Sequence, residues 1–154
     1  EFGQGREWNH SGSLDWHLLG NDMHRGVQIL IRDLNSLYRA EPSLHATDTR
    51  ADGFFWLDAN DSARSIYAFV RQAEGAKRIV VLANMTPIGR EAYQVGLPAG
   101  GKWIEVMNTD AVAYAGAGGG NMGNVVAQQS GAQGQPWSAS VYLPPLSVIV
   151  LREE

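Results

Sequence analysis

The sequence predicts a mainly β protein in which an antiparallel β-sandwich follows a loop and one helix. Three observations support this fold class. Residues 1–22 are rich in Gly, Asn, His and Ser with interspersed Trp, a composition typical of a long ordered loop. Residues 24–39 carry apolar side chains at helical spacing, and short β-type runs separated by Gly, Pro and Asn fill the chain after Asp48. This change of periodicity places a boundary near residue 50.

Apolar side chains between His24 and Arg39 recur at the i, i+3, i+4 and i+7 spacing of one helical face. They are Val27, Leu30, Ile31, Leu34, Leu37 and Tyr38. Asn21 or Asp22 can accept hydrogen bonds from the first N–H groups of the helix. Pro42 ends the helix, because proline disfavours helical backbone at the residue before it. We expect the apolar stripe to pack against another part of the protein.

Seven runs after Asp48 are rich in the β-branched and aromatic residues that favour strands. They are residues 54–58, 65–71, 78–84, 93–97, 103–108, 138–143 and 147–151. Residues 58–62 and 74–76 lie between successive runs and are predicted to be hairpin loops. Pro144 and Pro145 interrupt what would otherwise be one long strand, which predicts a corner or a hairpin between the last two strands.

Residues 115–124 form a glycine-rich stretch of low complexity. Within it, Gly118-Gly-Gly120-Asn-Met-Gly123 matches the G-x-G-x-x-G pattern of dinucleotide-binding loops. That pattern binds a dinucleotide where a strand precedes it and a helix follows it. Here Val125, Val126 and a polar run of Gln and Gly follow instead. We therefore predict a flexible surface loop.

Composition excludes several classes of function. The chain has 154 residues with 12 Lys and Arg against 16 Asp and Glu, a net charge of −4, and neither sign is concentrated in one block. We therefore expect no nucleic-acid and no membrane-surface partner. The chain has no Cys, which excludes disulfides, a thiolate nucleophile and thiolate-bound metals and favours the cytoplasm. Because the first residue is Glu1 rather than Met, we expect further polypeptide upstream.

Three histidines recur at intervals of seven, His10, His17 and His24, with Asp15 and Asp22 between them. A metal site built from imidazole and carboxylate is conceivable. Its spacing differs from that of zinc-binding pairs, whose ligands are separated by roughly three to five residues on one helix or turn. Hydrogen bonds that order the loop are the favoured interpretation.

Two carboxylates and two indoles share the first loop. Glu7 and Asp15 could form hydrogen bonds with sugar hydroxyls, while Trp8 and Trp16 beside them offer flat faces for the C–H groups of a pyranose. The alternative is that both indoles pack beneath the loop. The other three indoles, Trp56, Trp103 and Trp137, lie in or beside predicted strands and are expected in the core or on a sheet face.

The first residues also carry a family resemblance. Glu1-Phe-Gly-Gln-Gly-Arg-Glu-Trp-Asn-His10 and Leu14-Asp-Trp-His-Leu-Leu19, with later segments such as Met107-Asn-Thr-Asp110 and Leu143-Pro-Pro-Leu146, resemble the bacterial 1,4-α-glucan (glycogen) branching enzymes. The resemblance extends over essentially the whole chain. It departs from the family at Ser11-Gly12, where the family usually has Asp after Asn-His.

The resemblance implies a domain division and a reaction. Residues 1–45 would be the last loop and helix of a catalytic (β/α)8 TIM barrel, and residues 46–154 the C-terminal all-β sandwich. The reaction would be a retaining transfer, in which an α-1,4-glucan is cleaved and the chain is passed to a 6-hydroxyl to make an α-1,6 branch in glycogen. That chemistry requires no metal or organic cofactor.

The resemblance also implies which roles this chain can have. The family's catalytic carboxylates lie on earlier barrel strands, so no catalytic residue is expected here and the chain alone is expected to be inactive. Glu7, Trp8, Asp15 and Trp16 match family segments and are the implied glucan-binding residues. The implied partners are an α-1,4-glucan or glycogen and the missing N-terminal barrel of the same enzyme.

A second hypothesis remains open. The chain could instead be a non-catalytic carbohydrate-binding or interaction module of the β-sandwich class, which would bind through exposed tryptophans of the sandwich. Trp103 and Trp137 are the candidates that this hypothesis names.

Overall fold

The computed structural model describes all residues from 1 to 154, as an irregular segment, one helix and eight strands. A 3-10 turn at Trp16–Gly20 precedes the helix α1, Asp22–Ala40, and two further 3-10 turns at Pro42–Leu44 and Ala51–Gly53 connect α1 to the strands. The strands are β1 (Phe54–Asp61), β2 (Ile66–Arg71), β3 (Ile79–Asn84), β4 (Arg90–Leu97), β5 (Gly101–Asn108), β6 (Asn124–Ala127), β7 (Trp137–Leu143) and β8 (Ser147–Glu153).

The strands form two antiparallel sheets that face each other. The larger sheet has six strands in the order β1-β2-β3-β8-β5-β6, and β4 pairs with β7 in the smaller one. Side chains from both sheets meet in one buried cluster, in which Trp103, Leu82, Val95 and Val141 are almost completely inaccessible. The predicted sandwich is therefore confirmed, although one sheet has only two strands.

The last two strands belong to different sheets, so the segment at Pro144 and Pro145 is a corner rather than a hairpin. The buried side chain of Asn84 holds this corner. Its Nδ2 donates to the carbonyl oxygens of Ile88 at 2.8 Å and Pro144 at 2.9 Å. Its Oδ1 accepts the N–H of Thr86 at 3.1 Å. One amide thus joins the loop after β3 to the corner after β7.

Helix α1 lies on the outer face of the larger sheet. Leu30 and Leu37 pack against a small buried cluster on that face, formed by Ile79, Met107 and Val150. Near the start of α1, a Cβ atom placed on Gly26 would lie 2.5 Å from the carbonyl oxygen of Tyr114. Glycine lets the helix approach the loop after β5 that closely.

The apolar stripe predicted for this helix is in fact two stripes. Leu30 and Leu37 face the sheet, whereas a second row of apolar side chains lies about a quarter turn away, as the 100° rotation per residue requires. In this second row Val27, Leu34 and Tyr38 are exposed and Ile31 is half-buried.

Polar contacts fix α1 and the segment after it to the sandwich. The hydroxyl of Tyr114 donates to Asp33 Oδ2 at 3.1 Å. After the helix, the Ser43 hydroxyl donates to the carbonyl of Lys77 at 2.6 Å. The Thr47 hydroxyl follows with a bond of 2.7 Å to the carbonyl of Gln72. Hydrogen bonds therefore join the sandwich both to α1 and to the segment between α1 and β1.

Two features of the strands differ from the prediction. Strand β1 continues to Asp61, through residues predicted to be a hairpin loop, with irregular register between Trp56 and Asp58 and again before Asp61. Strand β6 was not predicted and pairs with β5.

The glycine-rich stretch, predicted to be flexible, is held by side chains of β5 and of the turn that follows it. Asp110 accepts the N–H groups of Ala117 at 3.0 Å and Gly119 at 2.9 Å. Glu105 accepts the N–H of Asn121 at 3.0 Å. The carboxylates therefore fix the loop, because each satisfies backbone donors that would otherwise lack partners.

Candidate functional site

The first twenty residues fold back onto the start of α1. Phe2 is buried at 3% exposure, and its ring centroid lies 5.4 Å from that of Trp16. His24 Nδ1 lies 2.8 Å from the carbonyl oxygen of Phe2. Asn21 caps the helix by accepting the N–H of Met23 at 2.9 Å. These contacts give the loop a fixed start and a fixed end.

An ion pair between Arg6 and Asp15 holds the loop closed between these two ends. Arg6 binds Asp15 in a bidentate pair through one edge of its guanidinium, with Nε donating to Oδ2 at 3.1 Å and Nη2 donating to Oδ1. The N–H of Asp15 also donates to Gln4 Oε1 at 3.3 Å. The Arg6 hydrogen bond lowers the pKa of Asp15, so this carboxylate stays ionised at neutral pH.

Sequence analysis assigned no role to Arg6 or Gln4. The structure shows that Asp15 is only 8% exposed, and a carboxylate buried to this extent needs a partner. Arg6 supplies that partner, and no spacing rule in the sequence relates the two positions.

The loop encloses a small polar cavity of about 140 Å³. The predicted carboxylates Glu7 and Asp15 both line it, and its other lining residues are Gln4, Arg6, Asn9, Gly12, Ser13 and Leu14. The structure therefore brings the two acids together in one concavity. Hydrogen-bonding groups dominate its wall, as a site for sugar hydroxyls needs.

The two predicted indoles lie outside this cavity, at the surface of the loop. Trp8 is 73% exposed and Trp16 is 54% exposed. The alternative that both indoles pack beneath the loop is therefore wrong, although Trp16 rests partly on Phe2. Both rings are available for stacking on a ligand.

Two of the three histidines, His10 and His24, make hydrogen-bonding contacts. His24 contacts the backbone of Phe2 as described, and His10 Nε2 lies 3.2 Å from the hydroxyl of Ser11. No group of three or more His, Asp and Glu side chains is gathered closely enough to hold a metal ion.

The sandwich tryptophans have three different environments. Trp103 is completely buried, and its indole N–H donates to the carbonyl of Ala99 at 3.2 Å. Trp137 packs against the same core. Trp56 lies on a sheet face at 52% exposure. The expectation that Trp103 could bind a carbohydrate from the surface of the sandwich is therefore wrong, because its side chain is inaccessible.

No helix of the structure combines the length and the apolar character that a membrane span requires.

Comparisons with known proteins agree with this architecture. The family profile described as "Alpha amylase, C-terminal all-beta domain" matches residues 56–154. The chain is 47% identical over 152 residues to the 1,4-alpha-glucan branching enzyme GlgB of Pseudomonas putida, which covers 99% of this chain and 21% of that protein. It is 49% identical over 155 residues to the enzyme of the same name from Aquifex aeolicus, covering 100% of this chain and 25% of that protein.

The chain thus spans between a fifth and a quarter of the length of these relatives. Among solved structures, the α-amylase from H. orenii overlaps with 77% of this chain and 18% of its own, at a TM-score of 0.46 and 13% identity.

Proposed function

Because the chain belongs to the family of α-amylase C-terminal all-β domains, we propose that it is the C-terminal portion of a bacterial 1,4-α-glucan branching enzyme. One observation carries the proposal. Identity of 47% to 50% to branching enzymes extends over nearly the whole chain, and so includes the loop and helix before the region of the family match. The domain division that we propose places residues 1–45 with the catalytic barrel and residues 46–154 in the sandwich.

The proposed enzyme cleaves an α-1,4 link and transfers the glycosyl chain to a 6-hydroxyl of a glucan. The bond to the leaving 4-oxygen breaks, a bond to the 6-oxygen forms, and the 6-hydroxyl proton returns to the enzyme's acid/base group. We place the carboxylates that carry out these steps upstream of Glu1. The enzyme's location is proposed to be the cytoplasm, which suits a chain without Cys.

The loop of residues 1–20 is the part of this chain that we assign to the glucan cleft. Glu7 and Asp15 share a polar cavity, and Trp8 and Trp16 present open rings beside it. In this arrangement Asp15 also holds the loop closed through Arg6. A pyranose ring could stack on an indole while its hydroxyls bond to the acids.

The missing barrel is the partner that we propose for the second apolar stripe of α1. Exposed Val27, Leu34 and Tyr38 lie along one side of the helix, about a quarter turn from the side that packs on the sandwich cluster. A contiguous apolar row of this kind marks an interface. In the proposed enzyme α1 is the last barrel helix, and it packs on barrel strands through this stripe and on the sandwich through Leu30 and Leu37.

An iodine-staining assay on amylose tests where catalysis resides. The 154-residue chain alone should leave the stain unchanged, because branching shortens the stained linear segments and the catalytic carboxylates are proposed to lie outside this chain. Branching by the isolated chain, at a rate that a boiled sample does not show, would overturn the assignment of catalysis to upstream residues.

A further inference from the structure

Four aromatic rings form a cluster on the outer face of β1 and β2. We call this cluster, made of Phe54, Trp56, Tyr67 and Phe69, the aromatic face. The ring centroids of Trp56 lie 5.1 Å from Phe54, 5.7 Å from Phe69 and 6.3 Å from Tyr67. Helix α1 covers β3, β5 and β8, and so leaves this edge of the sheet open.

The aromatic face is not part of the sandwich core. The same two strands send Leu57, Ile66, Ala68 and Val70 into the core from their other side. On the outer side Trp56 is 52% exposed, with Tyr67 at 42% and Phe54 at 36%. Contiguous exposed aromatic rings are unfavourable in water and indicate a surface that binds something.

The rings of the aromatic face are held in place before any ligand arrives. Phe54 and Phe69 meet the Trp56 indole almost at right angles, at 89° and 81°, an edge-to-face arrangement that is favourable for aromatic pairs. Trp56 therefore has little side-chain freedom to lose on binding, although about half of it is open to solvent.

Hydrogen-bonding groups border the rings on one side. Arg71 lies opposite Phe54 in the sheet register, on the same face. Its guanidinium binds Asp48, which also accepts the hydroxyl of Tyr38 at 3.2 Å. The Arg71 hydrogen bond lowers the pKa of Asp48 and keeps it an ionised acceptor. Flat apolar rings beside such groups match a sugar, which has C–H faces and hydroxyl edges.

We propose that the aromatic face binds the pyranose rings of an α-1,4-glucan chain, at a second contact separate from the loop of residues 1–20. The identity of the ligand rests on the proposed function. The binding site itself rests on the exposed, fixed rings and their polar border.

The position of the two contacts favours a polymer over a short oligosaccharide. The loop precedes Asp22 at the start of α1, and the bonds that Tyr38 and Arg71 donate to Asp48 lie near the end of α1. A helix of 19 residues spans roughly 28 Å at 1.5 Å per residue. A long glucan that touches both contacts gains avidity, because the second contact forms within the same complex.

Affinity electrophoresis of the 154-residue chain in gels containing glycogen tests the proposal. The wild-type chain should be retarded. Trp56→Ala should weaken retardation roughly tenfold, which corresponds to about 1.4 kcal/mol, while Trp56→Phe keeps part of it. Ile88→Ala is the matched control, since Ile88 is 58% exposed on a loop outside the aromatic face, and it should migrate as wild type.

Unfolding midpoints in urea separate binding from folding, and each variant should unfold within a few tenths of a molar of wild type. Where Trp56→Ala fails to fold, Tyr67→Ala replaces it and is expected to weaken retardation as well. A wild-type chain that glycogen does not retard overturns the proposal. Retardation of a folded Trp56→Ala variant equal to wild type overturns it too.

The other class of occupant for the aromatic face is the upstream polypeptide of the same enzyme. A chimera that carries this chain in place of the matching C-terminal segment of the Pseudomonas putida relative distinguishes the two occupants. The proposal expects Trp56 to stay accessible to acrylamide in this chimera. The measurement is the quenching of tryptophan fluorescence, and the contribution of Trp56 is the difference between the wild-type chimera and its Trp56→Phe variant. Loss of that accessibility overturns glucan binding at this face. Branching activity of the same chimera reports on the proposed function separately, so the two failures are distinguishable.

Discussion

Arg152 Nη1 on the last strand donates a hydrogen bond of 2.8 Å to Glu41 Oε1, at the end of α1. Glu41 is only 8% exposed, whereas the side chain of Arg152 is 37% exposed, so the carboxylate is buried and the guanidinium is in partial contact with water. It connects the helix that we assign to the barrel with the strand that ends the sandwich. The orientation of the helix on the sandwich depends on contacts of this kind, together with the packing of Leu30 and Leu37.

Glu41→Gln should destabilise the protein, because it removes the charge that Arg152 pairs with and leaves a half-buried guanidinium uncompensated. The expected loss is about 1 to 2 kcal/mol, below the range for fully buried pairs since the arginine is partly exposed. Urea denaturation measures it. The control is Asp22→Asn, which removes an exposed pair with Arg25 at 3.9 Å and should change stability by less than about 0.5 kcal/mol. Equal effects of both substitutions would contradict the assigned role of Glu41.

Arg6→Ala should open the loop of residues 1–20. Asp15 would lose both of its side-chain bonds to the guanidinium, and the cavity that it shares with Glu7 would lose its closed shape. We expect faster cleavage of this loop by a nonspecific protease such as subtilisin. The matched control is Arg64→Ala, which breaks a pair with Asp61 in the sandwich and should leave the cleavage rate of the loop unchanged. An Arg6→Ala loop as resistant as wild type would show that the ion pair does not hold it.

Stability should fall in acid partly through Glu153. Hydrogen bonds from Arg78 lower the pKa of Glu153. A carboxylate with a lowered folded-state pKa stabilises the fold above its unfolded pKa, about 4.3 for Glu, and that contribution disappears as the pH falls through the folded value. Glu153→Gln should therefore be less stable than wild type at pH 7 and should lose less stability below pH 4. Urea midpoints across this range measure the difference. Parallel pH profiles for the two proteins would contradict the prediction.

Amide hydrogen exchange should be faster in residues 1–40 than in residues 52–151 of the isolated chain. The sandwich strands pair on both sides of a closed core, whereas α1 packs on one side and leaves Val27 and Leu34 exposed on another. Local opening is easier where few apolar contacts hold an element. Equal protection of the two regions would mean that the first segment is covered by something else, such as a second copy of the chain.

Periodicity predicted most of the fold, and its failures have physical reasons. The helix, seven strands and the corner at Pro144 follow from local patterns that the structure confirms. Strand β6 has only four residues after a glycine-rich stretch, too few for a period to show. The two stripes on α1 could not be separated, because a pattern shows which residues are apolar and says nothing of which partner each one meets.

The glucan-binding role of Glu7, Trp8, Asp15 and Trp16 stays a prediction, and the geometry of their loop could not be predicted from the sequence. The structure adds that the two acids share a cavity while the two indoles face solvent. The bond between Arg6 and Asp15 joins residues nine positions apart in an irregular loop. No period or spacing rule relates such positions, so only the folded loop reveals the pair.

Branching activity of the chimera tests the central claim most directly. The chimera joins the upstream portion of the Pseudomonas putida branching enzyme to this chain, which is 47% identical to the segment that it replaces. The upstream portion alone is the control. If this chain is the C-terminal portion of a branching enzyme, the chimera should reduce the iodine stain of amylose and form α-1,6 links, and the upstream portion alone should be much less active or insoluble. A folded, soluble chimera that forms no α-1,6 links would contradict the claim.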